Sequence, residues 1–170
     1  MGAILNRFDK LFELKNDSKK MSQFKLTAVI VHDPDDKELC NHIRTHFPYF
    51  AEVTGKNFLF ITFIQPSKED INRLRNNEFK YAKLLVSDRE EGNNIESIVY
   101  PQLRELFQIK EKGSFLILAE KLLDKQFYKI RITSESLPYQ FMRLRKFQKK
   151  NKRKLNQSQI WMGRVLQMTF

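Results

Sequence analysis

The run Phe24-Lys25-Leu26-Thr27-Ala28-Val29-Ile30-Val31-His32 passes without a spacer into Asp33-Pro34-Asp35-Asp36, and no other part of the chain restricts the fold as much. Residues 26–31 are apolar or β-branched with no alternation. A strand with one face in water alternates apolar and polar residues, whereas a strand covered on both faces does not. The run therefore predicts a central strand with helices on both sides. The next four residues predict a helix start. Asp33 is the expected N-cap, its carboxylate accepting an orphan backbone N–H, and Pro34 suits the first helical position, where no N–H is needed. Asp35 and Asp36 add negative charge at the positive end of the helix dipole. A helix start is the favoured reading of these residues, from the capping preferences of Asp and Pro, and a carboxylate cluster for a metal ion is the alternative.

At 170 residues the chain is long enough for one domain with a proper core. No apolar run is long enough to span a bilayer. The N-terminus lacks the apolar core of a signal peptide, and Met1-Gly2 is followed by Asn6 where an N-myristoylation site needs Ser or Thr. A single cysteine excludes an internal disulfide and suits a reducing compartment. The expected location is cytoplasmic, with no membrane span.

The net charge of +11 is concentrated at one end. Residues 141–170 contain nine basic residues and no acidic one, which leaves 22 basic against 20 acidic residues before them. A near-neutral body with a basic tail points to a polyanion or to an acidic protein surface as partner.

Ile4, Leu5, Phe8, Leu11 and Phe12 are spaced as one stripe of a short amphipathic helix within residues 3–14, and 16–22 reads as a linker. After the central strand, Leu39, Ile43, Phe47 and Phe50 predict a helix that Pro48 should kink or split and that Gly55 should end. Residues 57–64 predict a second buried strand, and Ser67 and Asp70 are spaced like a capping box for the next helix. Residues 79–86 predict a short strand or edge, and 90–94 a loop. Ile95, Ile98, Val99, Leu103, Leu106 and Phe107 predict a helix containing Pro101. Residues 114–119 and 126–133 predict two strands whose six-residue link, 120–125, suits an antiparallel hairpin. A last helix starts near Pro138 and runs into the basic tail.

This order of elements resembles the thioredoxin-like fold over residues 24–147. The features that carry the resemblance are a helix with a central proline, Pro48, after the central strand; Gly55-Lys56 before the strand at Asn57-Phe58-Leu59; and the stretch Phe107-Gln108-Ile109 leading to Gly113-Ser114-Phe115-Leu116-Ile117-Leu118. The resemblance implies a three-layer α/β fold, a mixed sheet flanked by helices with a C-terminal antiparallel hairpin. Two departures bear on function. The family's redox chemistry needs Cys-x-x-Cys where the strand turns into the helix, so that the dipole lowers the thiol pKa. Asp33-Pro34-Asp35-Asp36 stands there instead, and Gly113-Ser114 replaces the family's cis-proline. The implied protein is a redox-inactive relative that uses the scaffold for binding.

Other constellations are thin. Cys40 lies inside the predicted helix, where a lone cysteine usually serves as a small core residue, the alternative being a nucleophilic thiol. His42 and His46, four residues apart, share a helix face with Glu38 and are the candidate metal ligands. A catalytic zinc needs three protein ligands and a structural one four, and the pair falls short of both. A nucleotide site would need a glycine-rich turn, and the five glycines are not clustered. In the tail, Arg143, Arg145 and Lys146 interleave with Phe141, Leu144 and Phe147; Lys149, Lys150, Lys152, Arg153 and Lys154 come next, and Ile160 to Phe170 turns apolar again. These eight basic residues are the candidate polyanion- or partner-binding residues.

The sequence thus predicts an N-terminal helix and linker at 1–22, a thioredoxin-like domain at 23–147 and a basic tail with an apolar end at 148–170. The expected function is a non-catalytic binding or adaptor module with a protein partner and no cofactor. One alternative is an RNA- or DNA-binding protein acting through the tail. The other is a thiol- or metal-dependent enzyme using Cys40 or His42 and His46.

Overall fold

A computed structural model of the chain describes residues 1–65, 67–76 and 95–150. The central strand is where the sequence places it: β2, Leu26–Val31, is buried along its whole length. In chain order the elements are β1 (Gly2–Ile4), α1 (Asp9–Asn16), α2 (Ser18–Met21), β2, α3 (Lys37–Thr54), β3 (Phe58–Thr62), α4 (Lys68–Arg75), α5 (Ile95–Leu106), β4 (Ser114–Ala119), β5 (Tyr128–Ile132) and α6 (Ser136–Lys150). The strands form one mixed sheet in the order β1-β3-β2-β4-β5. β1 and β2 both pair parallel with β3, β4 pairs antiparallel with β2, and β5 pairs antiparallel with β4. Thr27 faces Ala119 and Val31 faces Phe115 across the β2–β4 pair.

Both faces of the sheet are covered, which explains why β2 does not alternate. Leu26, Ala28 and Ile30 pack with Leu39, Ile43, Phe47 and Phe50 of α3 and with Leu137, Phe141 and Leu144 of α6. Val29 and Val31 point the other way, into a cluster with Leu11 and Leu14 of α1 and Val99 and Leu103 of α5. The first face is rich in aromatics: Phe141 lies 4.9 Å from Phe50, nearly parallel to it, and 4.9 Å from Phe60, edge-on.

Three local expectations are corrected, and a fourth, at Pro48, in one of its two alternatives. Ile4 and Leu5 do not belong to the N-terminal helix. Gly2–Ile4 is an edge strand in register with Phe60–Thr62, bracketed by Phe60 N–H to the Met1 carbonyl (2.8 Å) and Leu5 N–H to the Thr62 carbonyl (2.9 Å). The backbone ladder outweighs a weak three-turn helical stripe. Gly2 allows the close approach, because a Cβ there would stand 2.7 Å from both Ala51 Cβ and Phe47 Cζ. The helix after β2 starts at Lys37, not next to Asp33; its N-cap is Asp36, and Pro34 lies in the preceding turn. Of the two outcomes expected at Pro48, the split does not occur: α3 runs from Lys37 to Thr54 with Phe47, Phe50 and Ala51 buried on either side of the proline. That packing outweighs the proline's local cost of about 3 kcal/mol. The supposed linker 16–22 contains the short helix α2, whose N-cap Asp17 accepts from the Lys20 N–H.

Other expectations agree with the structure. Gly55 follows α3 with φ +66°, and the Ser67 hydroxyl accepts from the Asp70 N–H at 3.1 Å while donating to its carboxylate at 2.8 Å. The segments 79–86 and 90–94 lie outside the described residues. The α-amino group of Met1 is buried against Thr54 Oγ1 (2.9 Å) and the carbonyls of Gly55 and Phe58, and burial lowers its pKa to about 5.

Candidate functional sites: the strand-to-helix step and the outer line of the last helix

The β2–α3 turn brings together residues from three distant parts of the chain. The Asp33 N–H donates to Ser114 Oγ at 3.0 Å. Its carboxylate accepts from the Asp35 N–H (3.1 Å) and from the Tyr100 hydroxyl (3.0 Å). Asp36 accepts from the Leu39 N–H at 3.1 Å through one oxygen and from the Ser114 hydroxyl at 3.4 Å through the other. Arg104 of α5 closes the group, donating to the Tyr100 hydroxyl (2.9 Å) and to the carbonyls of Glu111 (2.7 Å) and Lys110 (3.0 Å). Burial raises the Tyr100 pKa above that of an ordinary tyrosine, with Asp33 adding to the effect and Arg104 opposing it.

The Asp33 and Asp36 carboxylate oxygens therefore already have protein donors. The arrangement ties α5 and the approach to β4 onto the turn, and it offers neither a thiol nor an open ligand position. Gly113, at φ +109°, precedes Ser114, and no peptide bond among the described residues is cis. Cys40 lies one turn into α3, buried in the core cluster, with Arg44 Nη2 at 3.4 Å from its sulfur.

His42 and His46 do lie side by side, as their spacing predicts. Their rings stack at 4.4 Å and 24°, and His46 Nδ1 is 3.0 Å from the His42 carbonyl oxygen. His42 Nε2 is buried with no hydrogen-bond partner among the described residues. Its pKa is lowered first by burial and then by His46, against an opposing pull from Glu38. Glu38, the third member of that helix line, accepts instead from the Ser134 hydroxyl at 2.6 Å. Among the described residues, no three His, Cys, Asp or Glu side chains are grouped so as to hold a metal ion.

The second candidate is on α6. Leu137, Phe141 and Leu144 hold this helix to the sheet. Away from them, Tyr139, Met142, Arg143 and Lys146 form one outward stripe of the helix, neighbours through the three-residue steps 139–142 and 143–146 and the four-residue steps 139–143 and 142–146. Tyr139 is 55% and Met142 43% exposed, and Lys146 is exposed beside them. The Arg143 guanidinium lies over the Tyr139 ring, 5.2 Å from its centroid. Of the eight basic residues singled out in the sequence, Arg143, Arg145 and Lys146 are on this described outer surface. Lys149 and Lys150 fall in the last turn of α6, and Lys152, Arg153 and Lys154 lie outside the described residues. Charge alone did not single out Tyr139 and Met142, although the spacing 139, 142, 143, 146 is present in the sequence.

The chain matches no family model, no characterised protein and no solved structure. Among the described residues, no helix is long and apolar enough to cross a membrane.

Proposed function

We propose that the chain is a non-catalytic binding module on a thioredoxin-like scaffold, acting in a macromolecular complex through the outer side of α6 and the basic residues beyond it. The scaffold reading draws support from the order of the elements, the central β2 covered on both faces, and the antiparallel pairing of β4 with β5. The observation that carries the functional reading is at the strand-to-helix step. Where redox chemistry needs a thiol pair, Asp33 and Asp36 are engaged with backbone and hydroxyl donors, and the one cysteine is buried in the core. The thiol- or metal-enzyme reading is disfavoured by the same burial of Cys40 and by the diversion of Glu38 to Ser134. A reducing, cytoplasmic location accords with the single free thiol.

Insulin reduction in dithiothreitol tests the reading. Wild type and Cys40→Ser are expected to turn over at the same background rate, and turnover by wild type above that control overturns it. A second reading, nucleic-acid binding, is favoured by one specific feature, the aromatic and basic line on α6.

A further inference from the structure

We infer that the outer line of α6 is a docking strip for single-stranded nucleic acid, with the Tyr139 ring as a platform for a base and Arg143 and Lys146 tracking the phosphates. This rests on the binding reading above and names the partner class for that surface. Three observations carry it.

The first is electrostatic. Arg143, Arg145 and Lys146 crowd the outer surface of α6, and no acidic residue occurs from position 141 onward, while the body before it is almost neutral. The positive charge of the chain is therefore concentrated on this helix and on the basic residues after it, so a polyanion is the complementary partner. The second is the aromatic inside the basic line. Tyr139 keeps more than half of its surface exposed while Arg143 covers its ring. Bases stack on exposed aromatic rings and on guanidinium planes, and phosphates pair with the neighbouring cations.

The third is steric, and it selects a single strand. Leu137, Phe141 and Leu144 sink the other side of α6 into the core. In a duplex each base is paired and stacked between its neighbours, so no base face is open to the exposed Tyr139 ring. An unstacked strand can turn a base outward onto Tyr139. A protein partner fits less well, because the only exposed apolar side chains described on the line are Tyr139 and Met142, too few for the buried centre of a standard interface.

The test measures fluorescence anisotropy of a short labelled oligouridine and of a duplex of equal length, with the full chain. The single strand is expected to bind more tightly, without preference for sequence. Tyr139→Ala should weaken single-strand binding about tenfold, Tyr139→Phe should restore it, and duplex binding should be unchanged in both. Replacing Arg143 and Lys146 together by Gln should flatten the slope of log K against log salt by about 1.4, at roughly 0.7 per phosphate contact on a single strand. Melting temperatures near wild type confirm that these exposed positions are read in folded protein. No oligouridine binding at low salt overturns the inference, as does tighter duplex binding or a Tyr139→Ala variant that binds like wild type. Such a failure with insulin turnover still at background removes nucleic acid as the partner and leaves the non-catalytic module standing. Turnover above background removes the module whatever the oligonucleotide shows.

Discussion

The strand-to-helix step and the outer line of α6 both combine a tyrosine with charged side chains and use them in opposite ways. At the step, Tyr100 links Asp33 to Arg104, and Asp33 and Asp36 engage Ser114 and backbone groups. On α6, Tyr139, Met142 and Lys146 are exposed, and the aromatic–cation pair of Tyr139 and Arg143 is formed within the line itself. A polar side chain with its hydrogen bonds made inside the fold contributes to architecture, because removing it strands its partner. One left in water is available to a ligand at little cost to the fold. The contrast assigns the strand-to-helix step to architecture and leaves the outer side of α6 as the candidate site.

The largest effect should come from the inward side of α6. Phe141 is 1% exposed and contacts Phe50, Phe58 and Phe60, so Phe141→Ala should cost about 3–5 kcal/mol in urea unfolding. Tyr139→Ala, on the outward side, should stay within about 0.5 kcal/mol of wild type. Equal losses would show that the outer line is packing and would break the comparison.

Smaller losses are expected at the step. Asp36→Ala should lower stability by about 1 kcal/mol as a lost helix cap. Asp33→Ala should cost a similar amount, about 1 kcal/mol, through the lost Tyr100 and Asp35 hydrogen bonds rather than through a cap. A double-mutant cycle with Tyr100→Phe sharpens this: coupling of at least about 0.5 kcal/mol identifies the Asp33–Tyr100 contact as the source. Neither aspartate variant should change oligouridine affinity. Lost affinity at an unchanged melting temperature would make the step a binding site after all.

The smallest effect is a pH dependence from α3. The folded-state pKa of His42 lies below its ordinary value of 6.5, mainly because burial disfavours the imidazolium. The unfolded chain therefore takes up the proton first, and the stability linked to His42 is complete above that value and lost as the pH falls through the lower, folded one. The buried α-amino group of Met1, lowered to about 5, acts in the same direction over a wider window. The readout is accordingly the difference between wild type and His42→Gln, which should lose stability less steeply on acidification from neutral pH. A steeper loss in the variant would refute the assignment.

Much of the fold can be read locally. The unbroken apolar run of β2, the helical stripes of α3 and α5 and the start of α4 at Ser67 come from spacing within a few residues. The candidate site was legible only in part. Arg143, Arg145 and Lys146 stand out by charge, but the exposure of Tyr139 depends on which side of α6 the sheet takes up, and that is set by Phe50, Phe58 and Phe60 far away in the chain.

The sequence by itself determined the central strand and the division into a near-neutral body and a basic end, since burial pattern and charge are properties of consecutive residues. Only the tertiary structure decided that Gly2–Ile4 is a strand, that Asp36 rather than Asp33 caps α3, and that the helix runs through Pro48. Each choice lies between local conformations separated by about 1–3 kcal/mol. Contacts with remote residues settle differences of that size: the β3 ladder for Gly2–Ile4, Tyr100 and Ser114 for Asp33, and the aromatic core for Pro48.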